Sequence, residues 1–282
     1  MGGVSPYQIT GPTLVSFSGG RTSAYMLHQI LQAHGGELPP ETVVTFANTG
    51  KEREETLRFV RDCADNWAVP VVWLEYQAEA PGFRVVTFET ASRNGEPFAE
   101  LIRKKSYTPN SVTRFCTSEL KIRAMKFYCQ RHLGWKRWVN ALGLRHDEGH
   151  RCLKAYARNE ANNEPFKAWL PLDKARVSRQ DVMTFWAGRN FDLGLRGYEG
   201  NCDLCFLKGR NKLKAIIREQ GPQVADWWSQ MEAVAGATFV TEWSYADLVR
   251  EVTEQPSLFD PPDNDEFDAE CGLVCDVDEV AA

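Results

Sequence analysis

The chain has 282 residues, a net charge of −5 and a mean hydropathy of −0.41. That length carries one large α/β domain with a small appendage, and the ordinary composition excludes collagen-like, low-complexity and disulfide-scaffold classes. No apolar run approaches the ~20 residues a spanning helix needs. Met1–Pro6 lacks the basic and apolar regions of a signal peptide, so a cytoplasmic location without a membrane partner is expected.

Charge is unevenly spread. From Glu254 to Ala282 there are ten Asp or Glu and no Lys or Arg, so −10 in the tail leaves +5 for the rest, making the total of −5. Basic residues gather at Arg103-Lys104-Lys105, at Arg114 with Lys121 and Arg123, and over Lys208–Lys214. Such groups suit polyanionic ligands, including nucleotides or nucleic acid.

In chain order, Thr13–Phe17 reads as a buried strand that runs through Ser18-Gly19-Gly20 into a helix over Thr22–Ala33. Glu41–Asn48 is a second strand, Glu52–Trp67 a helix, and Val71–Tyr76 a third strand. This alternation predicts a doubly wound, mostly parallel sheet with helices on both faces. Gly82–Pro109 reads as a lid or insertion, Glu119–Leu133 as a helix and Trp138–Leu142 as a strand. Cys152–Ala168 is expected to be an irregular connection, Trp169–Leu172 extended, and Ser178–Ala187 a helix capped by Ser178. Helices follow at Asn211–Glu219, at Val224–Ala233 and within Thr238–Val252, with Trp227 and Trp228 as packing residues. The chain thus divides into a nucleotide-binding and catalytic domain (10–215), a C-terminal helical region (216–253) and an acidic tail (254–282), expected to be disordered or loosely docked.

The strand–Ser-Gly-Gly–helix element points backbone N–H groups and a helix N-terminus at one place, which suits phosphate. Ser16, Ser18, Gly19, Gly20, Arg21, Thr22 and Ser23 are therefore candidate nucleotide-binding residues. Asn48, Thr49, Gly143 and Arg145 join them, because they follow other strands whose C-terminal ends share the rim. Eight cysteines in an intracellular setting call for metal, redox or simple burial. Cys202 and Cys205 form a CxxC that offers two soft ligands, and Cys116, among basic residues, is the best third. A fourth ligand comes from Cys271, Cys275 or outside the protein. Cys63, Cys129 and Cys152 read as small buried residues.

These residues resemble the phosphoadenylyl-sulfate (PAPS) reductase family of the adenine-nucleotide alpha-hydrolase (PP-loop) superfamily. The resemblance rests on Ser18–Ser23, Phe46–Gly50 with Glu54-Glu55-Thr56, Cys116 with Lys121, Gly143-Leu144-Arg145 with Asp147-Glu148, and Cys202–Cys205. Glu270-Cys271-Gly272-Leu273 is similar to the catalytic tail of those reductases. Three positions depart from the pattern. Thr22 stands where ATP-cleaving relatives carry Asp, Phe115 precedes Cys116 where cluster-bearing reductases have a Cys pair, and Val274 replaces a His.

The resemblance implies a reductase that binds an adenylyl-sulfate nucleotide, with a [4Fe-4S] cluster. Cys271 would attack sulfur, Cys275 or an external thioredoxin or glutaredoxin would release sulfite, and Arg145 and Lys121 would hold the sulfate. The alternative is ATP-dependent thiolation of a tRNA or DNA base, with Cys116, Cys202 and Cys205 holding the cluster. A third reading is a zinc-stabilised nucleotide-binding module.

Overall fold

Short, almost wholly apolar segments form the centre of the molecule, because a strand covered on both faces has no polar side to show. The computed structural model describes residues 5–254. Its strands are β1 (Thr13–Ser16), β2 (Thr42–Asn48), β3 (Val71–Tyr76), β4 (Phe83–Val86), β5 (Trp138–Ala141) and β6 (Phe166–Trp169). They form one sheet in the order β4-β3-β2-β1-β5-β6. Every neighbouring pair is parallel except β3 with β4.

Alternate side chains separate two buried layers. Val15, Val44, Phe46 and Trp73 pack on α1 (Arg21–Ala33), α2 (Glu54–Asn66) and, farther along, the helix Arg179–Ala187. Leu14, Ala47 and Leu74 face the other way, onto Ala124, Met125, Tyr128 and Cys129. The doubly wound α/β architecture is therefore present.

The remaining helices are α3 (Glu96–Lys105), α4 (Phe115–Thr117), α5 (Ala124–Phe127), α6 (Gly149–Ala161), α7 (Pro171–Lys174), α8 (Arg179–Ala187), α9 (Arg210–Gln220), α10 (Asp226–Ala235) and α11 (Tyr245–Glu254). Between α4 and α5, and again after α5, the turns widen to π geometry at Ser118–Arg123 and Tyr128–His132. Helices α9–α11 close over Trp228, Phe239 and Tyr245, a second aromatic core that takes in Phe98 and Leu204. Trp228 is a packing residue at its centre, 1% exposed.

Two expectations are corrected. Residues 82–109 are not an insertion: β4 pairs with β3 as an antiparallel edge, and α3 packs into the second core. The Cys152–Ala168 segment is regular too, since α6 occupies most of it and β6 extends the sheet beside β5. Extended structure stops at Trp169, and Pro171 opens α7. Ser178 does cap α8, accepting from the Asp181 N–H at 3.3 Å within a capping box.

Candidate functional site

Strand β1 has β2 on one side and β5 on the other, so the chain reverses its direction of travel across the sheet between β1 and β5. A crevice opens at such a point outside the C-terminal strand ends. Two loops meet there. After β1 the chain turns through Ser18-Gly19-Gly20 into α1, whose first turn carries no acidic residue to neutralise its positive end. Gly19 has φ +79°, and a Cβ there would lie 2.7 Å from the Thr56 Cγ2. Only glycine meets both demands. The Ser23 hydroxyl fixes the turn: it donates to the Gly20 carbonyl (3.0 Å), accepts from the Ser18 N–H (3.2 Å) and pairs with the Ser18 hydroxyl (2.8 Å).

After β5, Gly143 lies against the start of α1, where a Cβ would come within 3.0 Å of the Ser23 Cα. This close approach brings in Arg145, which is 5% exposed. Its Nη1 donates to the Thr22 hydroxyl at 3.0 Å and its Nε to Asp147 at 2.9 Å, while the Glu148 carboxylate accepts from the Arg145 N–H at 2.9 Å. A buried guanidinium needs such compensation, and here it holds the two loops together. Arg21 turns outward, donating to Asp192 at 2.7 Å and to the Leu195 carbonyl. Ser16 donates to Asn140 at 2.6 Å, a bond that joins β1 to β5 beneath the loop.

Past β2, Asn48 is fully buried. Its amide donates to Glu75 (2.7 Å) and to the Ser92 carbonyl (2.9 Å), and its oxygen accepts from the Gly50 N–H (3.1 Å). The Thr49 N–H and hydroxyl both donate to Glu52, at 2.7 and 2.8 Å. Glu52 in turn lies 3.3 Å from the Lys121 Nζ and 3.9 Å from the Cys202 Sγ. Lys121 comes from the π turn that follows Cys116, so the widened helix brings its ammonium under the CxxC loop.

The CxxC loop is stitched to the glycine loop that follows β1. Asn201, just before Cys202, donates its amide to the Ser18 carbonyl at 2.9 Å, and its own carbonyl accepts from the Arg53 N–H at 2.7 Å. Lys51 pairs with Asp203 at 2.7 Å. Lys208 is 2% exposed and donates to the carbonyls of Cys202 (2.6 Å) and Asp203 (3.1 Å). Burial pulls its pKa down, against the opposing pull of Cys205 and Cys202. Lys208 is thus a buried strut, and not part of a solvated basic stretch. Arg210 and Lys214 pair with Glu251 of α11.

Cys116 packs on the aromatic core that also buries Leu204 of the CxxC. Among the described residues no group of three His, Cys, Asp or Glu side chains gathers as a metal-binding set. The thiols of Cys116, Cys202 and Cys205 are donors of the kind that an iron–sulfur cluster or zinc takes. Cys271 and Cys275 lie outside the described residues. Cys63, Cys129 and Cys152 are 0%, 0% and 3% exposed, and burial pushes the Cys129 and Cys152 thiols up to about 12.

Glu52, Glu75, Lys51, Lys208 and Asn201 were not singled out as site residues from the sequence. The pattern Lys51-Glu52-Arg53 directly after Thr49-Gly50 was the available sign, since three successive charges after a buried strand need partners.

Fold and site together define a doubly wound α/β protein with a glycine loop at a helix N-terminus and a thiol loop on one rim. No family model matches the chain. It is 29% identical over 215 residues to a protein of Escherichia phage lambda described as "Uncharacterized nin region protein ORF290", covering 73% of this chain and 70% of that one. A solved structure, the U34-tRNA thiolase NcsA from Methanococcus maripaludis with its [4Fe-4S] cluster, aligns with a TM-score of 0.41 and 12% identity, over 87% of this chain and 73% of that chain.

Proposed function

We propose that this chain is an adenine-nucleotide-dependent sulfurtransferase that acts on a base of RNA or DNA. The observation that carries the reading is the Asn201–Ser18 hydrogen bond, 2.9 Å, which fixes the CxxC against the phosphate loop. In this reading the Ser18–Ser23 turn and the α1 N-terminus hold the ATP phosphates, and Arg145 offsets the charge that develops. Attack of a base carbonyl oxygen on the α-phosphate releases pyrophosphate and leaves an adenylylated base. A persulfide on one cysteine of the CxxC displaces AMP from the base carbon. The second thiolate then attacks the sulfur of the bound cysteine, freeing the thiolated base and leaving a Cys202–Cys205 disulfide for an external dithiol to reduce.

The adenylyl-sulfate reductase reading has one observation in its favour. The loop position that would carry a carboxylate for ATP cleavage is Thr22, whose hydroxyl is already engaged by Arg145. That reading places attack on Cys271 and an intact nucleotide in the loop.

One assay separates the two. The full chain is incubated anaerobically with ATP, a persulfide donor and bulk tRNA or denatured DNA, and in parallel with adenylyl sulfates and thioredoxin. AMP release and base thiolation that depend on nucleic acid, lost in Cys202→Ser and retained in Cys271→Ser, support transfer. Sulfite release with the opposite dependence overturns it in favour of the reductase.

A further inference from the structure

A second cavity, of about 130 Å³, opens at the C-terminal end of β3. Its walls include Tyr76, Glu79, Lys104, Arg123, Phe127 and Arg131. None of these belongs to the nucleotide or thiol loops. The Phe127 ring forms one wall, with the Arg131 guanidinium 3.8 Å and the Arg123 guanidinium 5.0 Å from its centroid. Gly82 makes room for that ring: a Cβ at this φ +87° position would lie 2.5 Å from the Phe127 Cδ2.

Three cations therefore surround one small space against a single lining carboxylate, Glu79. Their internal bonds orient them without using up their donors. Arg131 donates to the Pro81 carbonyl (2.6 Å), Arg123 to Glu119 (2.6 Å) and Lys104 to the Ala78 carbonyl (3.3 Å). A guanidinium has five N–H donors and an ammonium three, so most still point to solvent or into the cavity. The space is large enough to take a phosphate group.

The cavity opens on the same rim as the glycine and thiol loops. Tyr76 ends β3 and Ser16 ends β1, two strands apart in a parallel set; Ser16 lies level with Val72, so Tyr76 stands four residues farther along, roughly 16 Å from Ser16 at the usual spacings. The Glu52, Lys121 and Cys202 group lies on this rim as well, at the loop after β2. We infer that the cavity holds a backbone phosphate of a nucleic-acid strand whose neighbouring base is presented to the thiol loop. This rests on the sulfurtransferase reading for its choice of polyanion. The phosphate contacts would set position and register without reading sequence.

The test uses the full chain and fluorescein-labelled single-stranded RNA and DNA, with anisotropy read over a range of salt concentrations. Lys104→Gln and Arg131→Gln are each expected to lower affinity several-fold for all sequences. Each should also reduce the slope of log K against log salt by about 0.7, the value for one lost single-strand phosphate contact. Arg131→Lys, which keeps the charge, should recover most of the slope. Lys104 is exposed, so its replacement keeps the test open if the Arg131 variant fails to fold. The RNA and DNA arms say which strand is the ligand. Affinity and slope unchanged in both glutamine variants overturn the site, as does binding of poly-aspartate with no binding of either strand. Strand binding that depends on Lys104 and Arg131, with no base modification in the assay above, would sink the sulfurtransferase reading and leave this site standing.

Discussion

The Arg145 guanidinium donates to the Thr22 hydroxyl at 3.0 Å, with both residues at least 95% buried. This bond joins the loop after β5 to the first turn of α1 across the point where the sheet changes direction. Thr22→Val keeps the shape and removes the acceptor, so the buried bond between the two loops is lost. The expected loss is about 1–3 kcal/mol in urea unfolding, the usual worth of a hydrogen bond to a charged group. Nucleotide binding should weaken in the same variant, and a bound nucleotide should restore less stability than in the parent chain.

Gly19 predicts a sharper loss. Gly19→Ala meets two penalties, a left-handed backbone and a Cβ 2.7 Å from Thr56. Backbone strain and overpacking together should cost about 2–4 kcal/mol. Thr56→Ser in the same chain removes the colliding methyl and should recover the packing part only. Full recovery in the double variant would show that the positive φ carries no cost here.

Stability should also respond to pH through His28. Burial, and secondarily Arg189, lowers its pKa from 6.5 to about 4, and its Nδ1 has no hydrogen-bond partner among Trp67 and Phe185. The unfolded chain therefore binds more protons than the folded one between these values. Stability contributed by the neutral ring is full above pH 6.5 and is lost as pH falls toward 4. His28→Leu should flatten that part of the pH–stability curve, read as the difference between the two proteins from pH 7 to 4. Parallel curves would show that other groups set the acid limb.

The parts of this fold legible in the sequence are those where one physical force dominates. Strands β1, β2, β3 and β5 are apolar runs because both of their faces are covered, and the Ser-Gly-Gly turn is visible because no other residue tolerates Gly19's geometry. Strand β4 escaped notice because it is an edge: Val85 is 55% exposed and only four residues pair. Helix α6 buries just Cys152 and Ala155, too few apolar positions to print a helical period. At the site, Lys208 was misleading for a different reason. A lysine within a basic run reads as a contact for a polyanion, and nothing local announces that two carbonyls of the CxxC loop accept from its ammonium.

The metal question yields a prediction that turns on residues 255–282. A tightly held iron–sulfur cluster or zinc takes three or four soft ligands; Cys116, Cys202 and Cys205 are candidates for three, while Cys63, Cys129 and Cys152 are buried. Cys271 and Cys275 are the remaining two of its eight cysteines. After anaerobic purification, any iron, acid-labile sulfide or zinc retained by the full chain should fall by at least half in the Cys271→Ser/Cys275→Ser double variant. Cys202→Ser should abolish it, since a CxxC that has lost one thiol no longer clamps a soft ion. Equal metal content in the double variant and the parent would mean that Cys116, Cys202 and Cys205 close on the ion by themselves. Faster alkylation of Cys116 in the metal-free protein would then report its release from the ion.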